Sequence, residues 1–367
     1  MIRTRAAVLL IVALLSLELS LNSTAAAVNQ TGFLSVSGRA IVDSSGKPIL
    51  LRGVNYPPYA TDPYGSPSPM VSDYAFLASK GFNVVRLPIS WELLEPEPGI
   101  FDSSYLTRSV GRAVQWAKTY GLYIVVDMHQ YNWAQKFGGS GIPNWAVEKY
   151  PATELGLRQA ISDFWVNTGL QDDFANVWRT IANAYANEPV IAGWDILNEP
   201  WIYTSINPNL NASYIDAFHL RVINAIRQVD QNHIIFIEPA NMQTLKLASV
   251  KNIVWSPHFY TLSFATRYYH QNVTVLGEDL LGKYEKFVIE TRNPMWIGEF
   301  GAFMPDGSAE KWLEDAKSLF DKYQVGWAWW AFEGQWNSIP DCLSNPSTTT
   351  NAMMVLKTSD EPIGGRI

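Results

Sequence analysis

Cysteine is almost missing from this chain. Among 367 residues only Cys342 carries a thiol, so no intramolecular disulfide can form and the core must hold the fold. Charge is scarce as well: Lys, Arg, Asp and Glu make up 17% of the residues, below the roughly 25% of an average globular protein. The formal net charge is -7 and no Lys/Arg block lies beyond the first few residues. That removes the long-range field that recruits nucleic acid, and no nucleic-acid partner is expected. Beyond the N-terminus no apolar run reaches the roughly 20 residues of a membrane span. Pro/Ser/Thr linkers and internal repeats are also absent, so one domain is the economical reading.

What is abundant is apolar and aromatic. Hydrophobic residues reach 47% and aromatics 13%, with Trp at 15 positions. That is more than a core of this size requires, and flat aromatic faces suit sugar rings. The N-terminus places Arg3 and Arg5 before an apolar stretch from Ala6 to Leu17, then small residues up to Ala27. This order is that of a secretory signal peptide over residues 1–27, leaving a mature domain at 28–367, soluble and monomeric, in the extracellular space. An uncleaved anchor is the alternative, opposed by the shortness of the run and by Glu18 within it. Asn29, Asn211 and Asn272 begin N-x-S/T sequons that an exported chain can have glycosylated.

After the leader, "FLSVSGRAIVDSSGKPILLRGVNY" alternates apolar and polar residues about Ser44-Ser45-Gly46, which predicts a hairpin between Phe33 and Leu51. Short apolar runs then recur at "ILLRGVNY", "FNVVRLPISW", "LYIVVDMHQ", "VIAGWDILNEP", "HIIFIEPA", "NIVWSPHFY", "PMWIGEFG" and "VGWAWWAFEG". Most are separated by helix-period segments such as "SYIDAFHLRVINAIRQVDQN". Strands alternating with helices imply a parallel sheet, and eight such units fit a closed (β/α)8 barrel. The fifth helix, "NMQTLKLASVK", is expected to be short and the eighth irregular. Two long connections, Tyr131 to about Arg158 and Trp201 to about Asn211, follow the third and fourth strands and so belong to the catalytic face.

Polar residues gather where these strands stop: Asn55 and Tyr56, Arg86, His129, Asn198 and Glu199, Glu238, His258 and Tyr260, Glu299, then Trp330 and Glu333. Parallel barrel strands point their C-terminal ends at one shared mouth, so residues far apart in sequence converge there. Any one of them could be a satisfied buried hydrogen-bonder. Together they predict a reaction site.

From "LRGVN" through "RLPISW", "DMHQ", "WDILNEP", "HFY", "WIGEFG" and "GWAWW", the chain resembles glycoside hydrolase family 5, the retaining cellulase-like barrels. The resemblance implies Glu199 as acid/base and Glu299 as nucleophile, with Asn198 on the sugar 2-hydroxyl and Arg86 and Tyr260 beside the nucleophile. It also implies His129 and His258 in the cleft, Trp330 under the reacting sugar, and a cis peptide between Trp330 and Ala331. Retaining hydrolysis needs two carboxyl groups about 5 to 5.5 Å apart, one ionised and one protonated. Arg86 and Tyr260 would favour the charged form of Glu299, while burial and the neighbouring negative charge would keep Glu199 protonated. Glu238 and Glu333 are expected to bind substrate at most. No cofactor and no metal is expected, since the first strand reads "LLRGVNY" and lacks the H-x-H of metal-dependent barrel hydrolases.

Trp133, Trp145, Trp201 and Trp336 fall in post-strand loops, which suggests sugar platforms, with core packing as the alternative. The expected reaction is endo-hydrolysis of a β-linked polysaccharide or oligosaccharide, foremost β-1,4-glucan. Mannan and β-1,3-glucan remain open. So does glycolipid, because "DMHQ", "DFWVNTGL" and "IRQVD" resemble the endoglycoceramidase branch, although Tyr131 stands where that branch places an acidic residue. A carbohydrate-binding barrel without catalysis would be expected to have lost one of the two carboxylates.

Overall fold

Alternation within the strands builds this molecule. In the computed structural model, which describes residues 30, 32–56, 70–239, 245–264, 273–302, 308–332 and 343, eight strands run parallel around one axis. They are β3 (Arg52–Asn55), β4 (Val84–Ile89), β5 (Tyr123–Met128), β6 (Ile191–Asp195), β7 (Ile234–Ile237), β8 (Ile253–Trp255), β9 (Trp296–Phe300) and β10 (Gly326–Trp329). Their order is β8-β7-β6-β5-β4-β3-β10-β9, with every hydrogen-bonded pair parallel. The ring closes between β8 and β9 through only two isolated bridges, Trp255 with Met295 and Phe259 with Phe300. This is a (β/α)8 barrel. The signal peptide, the sequons at Asn29 and Asn272, and Glu333, Trp336 and Cys342 lie outside the described residues.

Side chains of one strand parity enter the barrel. Leu51, Val84, Tyr123, Val125, Ile234, Phe236, Val254, Trp296 and Ala328 form an apolar plug in its lower half. Two residues further along the same parity stand Asn55 after Gly53, Arg86 after Val84, Asp127 and then His129 after Val125, Glu238 after Phe236, and Trp330 after Ala328. The period of two therefore converts an apolar floor into a polar mouth. On β6 and β9 the parity breaks, and register irregularities in the β5–β6 and β9–β10 pairings accompany it. Gly53 is required where β3 meets β4, because a Cβ there would lie 1.7 Å from the Val84 carbonyl oxygen.

Seven helices of eight residues or more lie among the described residues: α1 (Val71–Ser79), α2 (Arg112–Tyr120), α3 (Glu154–Phe164), α4 (Thr168–Tyr185), α5 (Ala212–Arg227), α6 (Val273–Tyr284) and α7 (Ala309–Tyr323). Their inward stripes, such as Phe174, Trp178 and Ile181 on α4, pack on the outer face of the strands. The segment after β7 forms only a 3-10 turn, Lys246–Ser249, as its shortness implied. No helix among the described residues is long and apolar enough to cross a membrane.

The N-terminal hairpin differs in register from the sequence expectation. β1 (Ser35–Ser37) and β2 (Ala40–Val42) turn at Gly38 and Arg39, and Ser44-Ser45-Gly46 forms a second turn held by Asp43, whose Oδ1 accepts from the amides of Ser45 and Lys47. An Asx-type bond of this kind competes with strand pairing and moves the hairpin tip. Leu34 and Ile41 join the apolar plug, so the hairpin does cover the end opposite the polar mouth.

Candidate active site

Arg86 is the hub of the mouth. Fully buried on β4, it donates from Nη1 to Glu299 Oε1 at 2.6 Å and Asn55 Oδ1 at 3.0 Å, and from Nη2 to Glu238 Oε1 at 2.8 Å and Asn198 Oδ1 at 3.1 Å. Nε donates to Asp195 Oδ2 at 2.9 Å, and Asp127 Oδ1 stands 3.0 Å from Nη2. Four carboxylates thus share one guanidinium. Burial disfavours the cation, but the charges of Asp127, Asp195, Glu299 and Glu238 outweigh it and hold Arg86 protonated. The mismatch is relieved at Asp195, which burial pushes up to about 8 against the pull of Arg86.

Glu299 ends β9 almost fully buried, and its second oxygen accepts from Tyr260 Oη at 3.0 Å. Burial raises the Tyr260 phenol, and the charge of Glu299 raises it further, so it stays a donor. His129 Nδ1 pairs with Asp127 Oδ2 at 2.7 Å, and its ring stacks on Trp330 with centroids 5.2 Å apart. The Trp330–Ala331 peptide is cis.

Glu199 follows Asn198 with φ of 44°, a left-handed conformation rarely adopted by a non-glycine residue. Three groups hold that turn. Glu238 Oε2 accepts from the Glu199 amide at 2.6 Å, Gln130 Nε2 donates to the Asn198 carbonyl at 3.0 Å, and Asn198 Nδ2 donates to the Gln130 carbonyl at 3.0 Å. The side chain of Glu199 is 51% exposed and its Oε1 lies 2.9 Å from His258 Nδ1. Single oxygens of Glu199 and Glu299, with a nitrogen of His258, all lie within 4.8 Å of one another. That proximity suits a reacting pair of carboxyl groups in a retaining arrangement.

The sequence expectation for Glu199 needs correction. Burial does push its carboxyl up, but the hydrogen bond and charge of His258, aided by His129 and Arg86, prevail and bring it to about 2. Glu199 is therefore ionised at rest. His258 carries the proton: burial lowers it, yet Glu238, Glu299 and Glu199 raise it well above the ordinary imidazole range.

Two expected platforms are also corrected. Trp133 is 1% exposed and packs edge-to-face on Phe164, because φ of 69° at Trp133 and 47° at Asn132 turns the loop back into the core. Trp145 is half-buried, lies edge-to-face on Trp91 and spends its indole N–H on the Glu95 carbonyl at 2.9 Å. Trp201, by contrast, is 48% exposed and lines a cleft of about 950 Å³ beside Glu199 and His258. Glu238 is 3% exposed with both oxygens engaged by Arg86, His258 and the Glu199 amide, which leaves none for a substrate.

Asp127, Asp195 and Gln130 were not singled out from the sequence. Their signal was available: a carboxylate inside an otherwise apolar strand run, as in "IVVDM" and "AGWDI". Two groupings resemble ligand sets, Glu199/His258/Glu299 and Asp127/Asp195/Glu238. In the second, all three carboxylates already contact the Arg86 guanidinium. In the first, each residue is bonded within the catalytic network.

Comparison with known proteins agrees with this geometry. The family model for cellulase (glycosyl hydrolase family 5) matches residues 42–335. Endoglycoceramidase I of Rhodococcus hoagii (strain 103S) is 27% identical over 82% of this chain and 68% of that protein. Endoglucanase C of Acetivibrio thermocellus is 24% identical over 71% of this chain and 83% of its own length. The crystal structure of endogalactoceramidase superposes with a TM-score of 0.70 at 28% identity, covering 82% of this chain and 74% of that one. With a family match spanning most of its length and the carboxylate pair at the barrel mouth, this chain belongs to glycosyl hydrolase family 5.

Proposed function

We propose that this enzyme is a retaining endo-β-glycosidase that cleaves an oligosaccharide from an apolar aglycone, as in a glycolipid. The carrying observation is the pairing of Glu199 and Glu299 within 4.8 Å, with their different surroundings. Glu299, clamped by Arg86 and Tyr260, is oriented to attack the anomeric carbon. Glu199, half exposed, faces the leaving oxygen and then the water. In the first step the glycosidic C–O bond breaks as the Glu299 ester forms, and a proton reaches the leaving oxygen through Glu199. In the second, water attacks, the ester breaks and Glu199 accepts the water proton.

The choice of aglycone rests on the cleft. The leaving group lies on the Glu199 side, where Pro200, Trp201, Pro239 and Pro257 provide an apolar wall. Burial of Trp133 and Trp145 removes two of the platforms that a long glucan chain would use. Relatives named as endoglycoceramidases support the same reading. The test measures oligosaccharide release from a ganglioside in detergent beside viscosity loss of carboxymethyl cellulose. Viscosity loss without ganglioside cleavage would overturn the glycolipid reading in favour of β-1,4-glucan and leave the retaining mechanism intact. We also propose export through residues 1–27, and N-terminal sequencing of protein from the medium should begin after Ala27.

A further inference from the structure

Glu238 has no assigned task in this chemistry, yet it touches three parts of the site. It ends β7 with Oε1 2.8 Å from Arg86 Nη2 and 2.7 Å from His258 Nε2, and its Oε2 accepts from the Glu199 amide at 2.6 Å. His258 bridges the two glutamates, Nε2 towards Glu238 and Nδ1 towards Glu199 Oε1 at 2.9 Å. Carboxylate, imidazole and carboxylate lie in series, and the last of them is half exposed in the substrate cleft.

We infer that Glu238 is a positioning residue for the acid/base: it holds His258 doubly protonated, and the proton that Glu199 gives to the leaving oxygen is the one stored on His258 Nδ1. The inference rests on Glu199 being the acid/base. At rest Glu238 and Glu199 are anionic and His258 is cationic. As the glycosidic bond breaks, its electron pair stays on the leaving oxygen. That oxygen takes a proton from Glu199, which has drawn it from His258 Nδ1. His258 is left neutral, with Nε2–H facing Glu238. When water attacks the glycosyl ester, its proton passes to Glu199 and on to Nδ1, restoring the resting state. The same carboxylate also fixes the left-handed turn at Glu199 through its amide, so charge and aim come from one side chain.

Every charged group around the imidazole bears on its titration. Glu199 faces it from the end of β6, Glu238 from β7 and Glu299 from β9 at 3.5 Å. Tyr260 shares its own segment, Lys283 and Lys286 line the same cleft, and Arg86 lies beyond Glu238 and Glu299. Of these, Glu238 alone contacts Nε2, so its charge selects for a proton on that nitrogen.

The experiment compares wild type, Glu238→Gln and Glu199→Gln on aryl β-lactosides with 2,4-dinitrophenolate or phenolate as leaving group. An opposite charge at this range is worth about 1–3 pH units of imidazole titration. Glu238→Gln should therefore move the basic limb of kcat/KM for the phenyl substrate to lower pH by at least about one unit. At neutral pH that means a loss of tenfold or more with the phenyl substrate and roughly threefold or less with dinitrophenyl, which leaves without a proton. An unshifted limb with equal losses on both substrates would show that Glu238 only braces the fold, and would overturn the inference. If Glu199→Gln loses equal activity on both substrates, Glu199 is not the acid/base and the mechanistic reading itself fails. Should Glu238→Gln not fold, nitrogen NMR of the wild-type imidazole decides: both nitrogens of His258 protonated at pH 7 is the expected result, and a neutral tautomer overturns it.

Discussion

His219 offers a sharp test of the folded core, far from the catalysis. It lies on α5 with no solvent exposure, and burial pushes its imidazole from the ordinary 6.5 down to about 3, against a small opposing pull from the Ile215 carbonyl. A depressed histidine binds its proton in the unfolded chain before it does so in the native one. Its contribution is thus intact above about pH 6.5 and is lost as pH falls towards 3. The gap between 6.5 and about 3, at about 1.36 kcal/mol for each tenfold change in proton concentration, caps the loss near about 5 kcal/mol. At pH 5 the linkage relation gives about 2 kcal/mol. His219→Leu removes the titrating group while keeping much of its volume. Urea unfolding of both proteins at pH 7 and pH 5 isolates the effect, because Asp230, Glu199 and the other acidic groups titrate in both. The wild type should lose about 2 kcal/mol more than the variant between the two pH values. Equal losses would refute the claim that His219 stays neutral in the fold.

The azide chemistry of the carboxylates should separate their roles: Glu299→Gln forms no glycosyl-enzyme, while Glu199→Ala in azide yields a β-glycosyl azide, and recovery of the α-azide would mean the two roles are reversed. Trp133→Ala should lower unfolding free energy by about 3–5 kcal/mol with no selective change in KM, which denaturation curves and kinetics together will show. Trp201→Ala should leave stability nearly unchanged and raise KM several-fold, in line with about 0.5–1.5 kcal/mol for an aromatic contact. Arg86→Met strands four buried carboxylates and should cost about 3–5 kcal/mol or more, read as a lower melting temperature together with lost activity.

The barrel was legible because its two signals repeat eight times. An apolar run marks each strand, and the polar residue closing it marks which end faces the mouth. The same periodicity put Arg86, His129, Asn198, Glu199, His258, Tyr260, Glu299 and Trp330 in one place before any coordinate was known. What stayed hidden depends on direction and partnership. A loop tryptophan looks the same in sequence whether it points outward like Trp201 or is turned into the core like Trp133, since left-handed backbone at Asn132 and Trp133 decides it. Glu238 stands at the mouth as a substrate ligand would, and only its three neighbours reveal that its oxygens are already taken. The protonation of Glu199 was misjudged for a related reason. Burial and anionic neighbours were visible, but a histidine carrying charge 2.9 Å away was not.

Closure of the barrel has a consequence for how the enzyme behaves on warming. Going from β6 to β9 through β5, β4, β3 and β10, the strands carrying Glu199 and Glu299 are linked by five continuous ladders. Going the other way, the path crosses β7 and β8 and then the gap spanned by two single bridges. His258 and Tyr260 lie just past β8, and the Phe259 amide donates across that gap to the Glu299 carbonyl at 2.8 Å. Thermal breathing is easiest where backbone bonds are fewest. The gap between the two catalytic carboxylates is therefore set at the barrel's most loosely stitched seam, and heat should silence turnover at temperatures where the rest of the ring is still intact.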